Sequence, residues 1–317
     1  MYGKKQVDKL GRRLRHARPV SDGKKLEPTD ADFIIFETLD HRGPLPTHFL
    51  YEPIKHIRRD YTYHQHRLAM MRNRTETPHG GRYLIRPKQQ WATRDADQQR
   101  CTYDRAPAAI DALREREIPL YPPRIDPMQH RFMNACVSFS IGVGVGDAGL
   151  SSVTLPYIMQ HRRFPEVRRT MASPLRIEVP DGNLIPDDLL GVGYGSDTFR
   201  FFALEDDRST ETLEEIERKL RGYIHLLKTN TYMREWGVPN LYVMIVTVGR
   251  HRMENIMELL YRLTKGEPQL RKYFLFRFKR EFAGAWEVPK EIMRDLVTDP
   301  WERADLPPFF LTNPQAH

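Results

Sequence analysis

One uninterrupted apolar run constrains the fold of this chain more than any other feature. The run, Leu241-Tyr-Val-Met-Ile-Val-Thr-Val248, lacks the polar alternation expected of a strand with one face in water. It is typical of a central strand that is covered on both faces. A helical pattern from Met253 to Leu263 and a strand-like segment from Tyr273 to Phe278 follow it. We therefore predict an α/β (α+β) fold built around a mixed sheet.

Acidic residues end two earlier apolar runs. Asp187 and Asp188 close the first run, and Glu205 with Asp207 closes the second. A glycine-rich turn over residues 191–197 predicts a hairpin that joins the two runs. Because side chains alternate along a strand, Glu205 and Asp207 should share a face, whereas Asp187 and Asp188 should point to opposite faces. This pattern leaves open which of the two aspartates meets Glu205.

The helix predicted to follow, from Thr210 to about Leu227, carries Lys219 and Tyr223 four residues apart and therefore on one face. Carboxylates held at strand ends are suited to Mg²⁺, since a hard cation prefers oxygen ligands on a rigid backbone. One interpretation is a metal-dependent enzyme that acts on nucleic acid. The other is a strand end with solvated acids, followed by a surface helix.

The excess positive charge lies in the first part of the chain. The whole chain has 50 basic and 42 acidic residues, and residues 1–120 hold 24 and 16 of them. Residues 121–317 are balanced, with 26 of each sign. A local excess of one sign is expected where a protein approaches a polyanion such as DNA. A basic, flexible tail over residues 1–25 accounts for part of this excess.

Three helical segments joined by short turns follow this tail, beginning near Thr29, Thr47 and Asp60. This arrangement suits a helix-turn-helix. The third helix, to about Asn73, is the most polar and basic, and we expect it to lie in a DNA groove. Its predicted exposed residues are Tyr63, His64, Gln65, Arg67, Arg72 and Arg74.

A hairpin predicted after the third helix adds a wing. Residues 82–86 form one strand, residues 87–98 a polar loop with Lys88 and Arg94, and residues 99–103 the return strand. The pattern is that of a winged helix, in which the wing contacts the DNA backbone or minor groove. A three-helix bundle with a hairpin, or a winged helix that binds protein, is the alternative. The residues predicted to bind DNA are Gln65, Arg67, Arg72, Arg74, Lys88 and Arg94.

The remaining features set the outer limits of the prediction. Cys101 and Cys136 have no Cys or His neighbour at metal-ligand spacing, so we expect neither a zinc site nor a disulfide framework. No membrane span or export signal is recognisable, which favours a cytoplasmic protein with no membrane partner.

A proline-rich hinge over residues 119–123 predicts a domain boundary. The predicted organisation is a tail at 1–25, a DNA-binding domain at 26–118 and a second domain at 124–310.

The order of these features resembles the replication-relaxation family of bacterial plasmid and mobile-element proteins, over about Leu26 to Trp301. The second half is in turn similar to the PD-(D/E)xK nuclease fold, which is a restriction-endonuclease-like fold. The features that carry the resemblance are the winged helix, a Pro186-Asp187 hairpin, Glu205-x-Asp207, Lys219-x-x-x-Tyr223 and a strand that ends near Arg250 and Arg252.

The resemblance implies roles for individual residues. Asp187 or its neighbour Asp188 matches the metal-binding aspartate, Glu205 matches the second acid, and Mg²⁺ or Mn²⁺ is the implied cofactor. The motif has a lysine where this chain has Asp207, so Lys219 would have to reach the site from the helix. The predicted catalytic residues are Asp187, Glu205, Asp207, Lys219 and Tyr223, and the predicted metal ligands are the first three. No acid on a first helix is obvious, although Glu166 is a distant candidate.

Two functions from different classes follow. The first is a DNA-binding protein of plasmid, phage or mobile-element replication or mobilisation that also nicks or cleaves DNA with Mg²⁺. The second is a non-catalytic winged-helix regulator or assembly factor, whose nuclease-like domain mediates protein contacts. The expected partners are double-stranded DNA and other proteins of a replication or mobilisation complex.

Overall fold

A computed structural model describes residues 21–92, 99–122, 126–195, 198–284 and 286–313. The chain divides into two compact units. Unit 1 comprises Met1–Leu120 and Trp286–Glu291, and unit 2 comprises Tyr121–Ala285 and Ile292–His317. Most of the predicted basic tail and the predicted wing residue Arg94 lie outside the described residues.

Unit 1 combines four helices with a small sheet in its described part. The helices are α1 (Asp30–Arg42), α2 (Thr47–Tyr51), α3 (Tyr61–Asn73) and α4 (Pro107–Glu115). The strands are β1 (Leu45–Pro46), β2 (Leu84–Ile85) and β3 (Thr102–Arg105). They form an antiparallel sheet in the order β1-β3-β2.

The starts of α1 and α3 follow from their capping residues. Thr29 and Asp32 form a capping box, in which the Asp32 carboxylate accepts hydrogen bonds from the Thr29 amide and hydroxyl, both at 2.9 Å. Asp60 caps α3 by accepting from the amides of Thr62 and Tyr63. The predicted positions of both helix starts are confirmed.

Unit 2 is a mixed α/β structure. Its helices are α5 (Met128–Asp147), α6 (Leu155–Gln160), α7 (Glu166–Arg169), α8 (Leu213–Thr229), α9 (Thr231–Glu235), α10 (Arg250–Leu263) and α11 (Asp295–Thr298). Its strands are β4 (Ser151–Val153), β5 (Ile177–Val179), β6 (Gly182–Leu184), β7 (Asp188–Gly193), β8 (Phe199–Asp207), β9 (Tyr242–Thr247), β10 (Phe274–Phe278), β11 (Trp301–Arg303) and β12 (Leu306–Phe309). Strands β5 and β6 pair separately, and the others form a seven-stranded sheet in the order β12-β11-β10-β9-β8-β7-β4.

The predicted central strand is confirmed as β9, at the centre of this sheet. It runs parallel to β8 on one side and to β10 on the other, and β7 and β8 form the predicted antiparallel hairpin. Parallel neighbours require connections that cross a sheet face, and here α8 lies between β8 and β9 while α10 lies between β9 and β10. The continuous apolar character of β9 follows from this burial.

Three segments of unit 2 show how local and tertiary contacts fix its elements. Helix α6 begins with a proline in its first turn, a position where proline is well tolerated. Helix α5 continues through its glycines, and at Gly144 a Cβ would be 2.7 Å from Val297, so this close packing requires a residue without a side chain. In the C-terminal segment, β11 and β12 extend the main sheet. None of the described helices combines the length and apolar character needed to span a bilayer.

Candidate functional site

The end of β8 gathers the acidic residues of unit 2. Glu205 and Asp207 line one small cavity, so they share a face as predicted. Asp187 precedes β7, and its Oδ2 accepts a hydrogen bond of 2.7 Å from the amide of Asp206. Asp188 instead accepts from the Tyr121 hydroxyl at 2.9 Å. The register of the β7–β8 hairpin therefore places Asp187, rather than Asp188, beside the end of β8.

Helix α8 brings Lys219 and Tyr223 onto Glu205. Lys219 Nζ lies 2.9 Å from Glu205 Oε2, and the Tyr223 hydroxyl donates to Glu205 Oε1 at 2.5 Å. The helix starts at a capping box formed by Thr212 and Glu215, and its apolar stripe packs on the sheet. Two residues one turn apart on this stripe thus meet the same carboxylate. Lys219 therefore reaches Glu205 from the helix, although the motif places its lysine on the strand, at the position of Asp207.

Asp207 is engaged differently. Arg252, in the first turn of α10, donates from Nε to Asp207 Oδ2 at 2.7 Å and from Nη2 to the Glu211 carbonyl at 2.7 Å. Among the described residues, no group of three or more His, Cys, Asp or Glu side chains is arranged to hold a metal ion. The predicted ligand set of Asp187, Glu205 and Asp207 therefore does not form a ready-made three-carboxylate cage.

Burial and charge give these groups unusual proton affinities. Burial, reinforced by Asp187, raises the pKa of Glu205 to about 7 although Lys219 favours its ionised form. Burial opposes a charged Lys219, but Glu205, Asp187 and Glu211 together raise its pKa above the ordinary value. Asp206, on the opposite face of β8, has its pKa raised well above the ordinary value, mainly by burial. The cluster thus combines a cation with a carboxyl that exchanges protons near neutrality.

His130 pairs with the remaining acid. Its Nε2 lies 2.8 Å from Asp187 Oδ1. Burial lowers the proton affinity of His130, but Asp187 outweighs it and raises the His130 pKa to about 9. In return His130 holds the pKa of Asp187 below its usual value against the effect of burial. The imidazolium thereby fixes an ionised Asp187 at the sheet end.

Two cavities adjoin the cluster. A cavity of about 20 Å³ lies among Glu205, Asp207, Glu211, Lys219 and Tyr223, which is room for about one water molecule or small ion. An open cleft of about 390 Å³ is lined by Asp187, His130, Glu211 and Lys219. The lysine and two of the acids are therefore reachable from solvent.

Three residues of this site were not predicted from the sequence. His130 lies on α5, the first described helix of unit 2. Glu166, the acid considered for such a helix, is exposed on α7 and does not line either cavity. Glu211 bonds Lys219 at 2.8 Å, and Arg252 holds Asp207. Basic residues at the start of an apolar helix, such as His130 and Arg252, are common in proteins. An acid between a strand and a helix, such as Glu211, is common as well, so the sequence pattern alone does not mark these residues as part of a site.

Unit 1 corrects the predicted DNA-binding surface of α3. Arg67 is 8% exposed and donates to the Asp32 carboxylate at 2.6 and 3.0 Å, and Arg58 donates to the other oxygen at 2.9 Å. Arg72 and His64 are also buried, at 7% and 0% exposure. The prediction that these three helix residues are exposed is wrong, because the wholly buried Asp32 and the unit 1 core lie beneath them.

The other predicted residues of this surface have different surroundings. Gln65 is exposed on α3, and Lys88 is exposed in a short 3₁₀ turn. Arg74 is partly exposed and pairs with Asp22 at 3.0 Å. Tyr63 and His66, beside Gln65, are exposed as well. The solvent face of α3 is therefore polar and aromatic, and its buried face carries the arginines.

Comparisons with protein-family models, curated proteins and solved structures found no match to this chain.

Proposed function

We propose that this chain is a DNA-binding protein of a plasmid, phage or mobile-element replication or mobilisation system, and that the cluster in unit 2 cleaves DNA. The observation that carries the proposal is the meeting of Lys219 with Glu205 at 2.9 Å, beside Asp187 and an open cleft. Acids at the ends of a β-hairpin, with a lysine beside them, are the parts that a PD-(D/E)xK nuclease uses; here the lysine comes from α8.

The side chains of the cluster have distinct tasks in this proposal. Lys219, at the cleft, would neutralise the charge that develops on the phosphate during cleavage. Tyr223 holds one oxygen of Glu205, and His130 holds one oxygen of Asp187, so both carboxylates are oriented before DNA arrives. Preorganised charge of this kind contributes more in a buried site than in water.

A divalent metal fits this site only in part. Asp187 and Glu205 are hard oxygen donors, and one or two carboxylates together with phosphate oxygens are the usual ligands of Mg²⁺. These two residues would hold the ion, which would act as a Lewis acid on the phosphate. Each of them is already bound to a protein cation, so a metal ion would compete with Lys219 and His130 for these carboxylates.

Unit 1 supplies the proposed DNA contact. Two observations support this: the described elements follow the order helix, strand, two helices and a two-stranded hairpin that a winged helix would have, and residues 1–120 hold the excess positive charge. With Arg67 and Arg72 buried, we assign groove contacts to the exposed Gln65 and its neighbours on α3. Lys88 is assigned to phosphate.

A second function is favoured by one observation. Every predicted metal ligand is already neutralised within unit 2: Asp187 by His130, Glu205 by Lys219, and Asp207 by Arg252. Three such pairs can stabilise a nuclease-like unit that has no cleavage activity. The protein would then be a DNA-binding regulator or assembly factor.

A cleavage assay on supercoiled plasmid separates the two functions. The wild type, Glu205→Gln, Lys219→Met and the control Glu258→Gln, which changes an exposed glutamate on α10, are compared with Mg²⁺, Mn²⁺ or EDTA. Catalysis predicts metal-dependent nicking by the wild type and the control, and a loss of at least about 100-fold in both site variants.

Calorimetry with Mg²⁺ and Mn²⁺ completes the test. Binding by the wild type that Glu205→Gln abolishes would support the metal site. An intact wild-type plasmid together with no heat of metal binding would contradict cleavage and favour the regulator. Weakening of duplex DNA binding by Gln65→Ala and Lys88→Ala would support the assignment to unit 1, and unchanged binding would contradict it.

A further inference from the structure

A pair of aromatic rings lies at the start of β8, at the end of the strand opposite to Glu205. Phe199 and Phe201 stack with ring centroids 6.2 Å apart and an interplanar angle of 29°. Their partners across the hairpin are Gly193 and Gly191. Both phenylalanines are only partly buried. We call this pair the aromatic platform.

The two glycines make the platform possible. A Cβ at Gly193 would be 2.8 Å from the Phe199 ring, and a Cβ at Gly191 would be 3.2 Å from the Phe201 ring. With no side chain there, each ring can lie across the backbone of β7. Asn240 holds the platform strand by donating to the Phe199 carbonyl at 2.8 Å and accepting from the Phe201 amide at 3.0 Å.

The platform forms one wall of a cavity of unit 2, which has a volume of about 700 Å³. Three exposed residues that follow α6, namely His161, Arg162 and Arg163, form another part of its lining. Among the described residues that line this cavity, none is acidic. The cavity therefore joins an apolar aromatic face to a cationic rim.

A backbone contact positions this cationic rim. Gly237 has a φ of +67°, and a Cβ there would be 2.2 Å from the Arg163 carbonyl oxygen. Only glycine allows this approach of the loop after α9 to the loop after α6. The neighbouring Trp236 is wholly buried, and its indole donates to the Leu175 carbonyl at 3.2 Å. Both loops that carry the lining residues are thus fixed against the core.

We propose that this cavity binds unstacked nucleotides of single-stranded DNA. Aromatic faces stack with any base, and arginines beside them bind the phosphates, which is how sequence-independent single-strand sites work. A volume of about 700 Å³ lies within the range of small-ligand sites, roughly 300–1,000 Å³. The proposal rests on the proposed function, because a strand released by nicking or unwinding is its occupant. The platform and Glu205 are nevertheless separate, about 13 Å apart along β8 from Phe201 at ~3.3 Å per residue.

Fluorescence anisotropy of the full chain tests the site. The probe is a labelled thymidine oligonucleotide of about 20 nucleotides, longer than a site of roughly 4–16 nucleotides, with EDTA present to prevent cleavage. Arg162→Ala/Arg163→Ala removes the rim charges. The matched control, Arg262→Ala/Lys265→Ala, removes two exposed charges at the end of α10. The rim variant should bind about tenfold more weakly, with a salt slope reduced by roughly 1.4 for two lost phosphate contacts, and the control should not.

The platform is tested by a change that keeps both side chains apolar but removes their aromatic rings. Phe199→Leu/Phe201→Leu should bind the oligonucleotide about tenfold more weakly, a loss within the range of one stacked base. This variant and the wild type should bind an abasic oligonucleotide of the same length with equal affinity, because that ligand has no base to stack on the rings. Circular dichroism establishes that this variant is folded. Equal loss on both oligonucleotides would show that stacking is not involved, and would overturn the platform.

Two further outcomes decide the proposal. Unchanged affinity in both the rim and the platform variants would overturn it, since another surface would then bind the strand. Thymidine monophosphate that binds as tightly as the oligonucleotide would also overturn it, in favour of a site for a free nucleotide. Because these measurements need neither metal nor Glu205, failure of plasmid cleavage with retained rim dependence would refute only the catalytic function. The reverse result would refute only the single-strand site.

Discussion

Replacing Arg67 by alanine distinguishes a structural arginine from one that reads DNA. Arg67 donates two hydrogen bonds to Asp32 Oδ2, at 2.6 and 3.0 Å, and one to the Glu27 carbonyl at 2.5 Å. Asp32 is 0% exposed, and burial is the largest influence on it, opposing its ionisation. Arg67, Thr29 and Arg58 outweigh burial and lower the pKa of Asp32. The variant would leave this buried carboxylate with Arg58 as its main cationic partner.

The loss of one of the two cations beside Asp32 sets the expected loss in the free energy of unfolding. Removing one partner of a buried ion pair costs about 3–5 kcal/mol, because the other charge stays desolvated. Arg58 still bonds Asp32 at 2.9 Å, so we expect the lower end, about 3 kcal/mol. Arg67→Lys should recover only part of this loss, since an ammonium group cannot make the same planar, paired contact.

Hydrogen exchange read by mass spectrometry measures this cost within the full chain. A loss of about 3 kcal/mol should speed the exchange of the most protected amides of α1 and α3 roughly 100-fold. The matched control is Arg59→Ala, which removes an exposed arginine from unit 1 and should change stability by less than about 0.5 kcal/mol. In Asp32→Asn/Arg67→Ala the loss should be smaller than the sum of the single losses, because the orphaned charge is gone.

One result would refute this reasoning. If Arg67→Ala left exchange unchanged but weakened DNA binding by about 1–3 kcal/mol and relaxed its sequence preference, the arginine would be a base reader, as the sequence pattern had indicated.

Two further perturbations test other parts of the molecule. Burial lowers the pKa of His64 to about 4, below its unfolded value near 6.5, so unit 1 should lose stability as pH falls from about 6.5 to 4, by up to ~1.4 kcal/mol per pH unit. His64→Asn should reduce this dependence in hydrogen exchange and leave the share of His48, whose pKa burial also lowers to about 4; an equal effect of the exposed His66→Asn would contradict the assignment. Gly237→Ala should destabilise unit 2 by at least about 2 kcal/mol in chemical denaturation, because its φ is +67° and its Cβ would meet the Arg163 carbonyl at 2.2 Å. Gly266→Ala, which would meet no atom within 4 Å, should be nearly neutral; similar losses in both glycine variants would show that the backbone approach is not tight.

Much of the secondary structure could be predicted because local patterns carry it. The unbroken apolar run of β9, the capping residues of α1 and α3, and the spacing of Lys219 and Tyr223 on α8 are properties of short segments. Other features depend on tertiary contacts. Gly144 stands inside α5 because a side chain there would meet Val297, more than a hundred residues away in the chain.

The candidate site shows the same division between local pattern and tertiary contact. The alternation along β8 was enough to place Glu205 and Asp207 on one face. The ion-pair partners of these acids depend on which helices cross the strand end. Only the tertiary structure shows that Glu205 pairs with Lys219 and that Asp207 pairs with Arg252.

The arginines of unit 1 show why the prediction that Arg67 and Arg72 are exposed was wrong. A polar, basic helix face predicts exposure, since a buried arginine is costly unless a charge partner is present. The partner of Arg67 is Asp32, thirty-five residues earlier in the chain, on a different helix. Most helices and strands could be predicted from residues a few positions apart, because helix caps and apolar periodicity are local patterns. The tertiary structure decided which charges are buried and paired, because burial and pairing depend on contacts between distant segments.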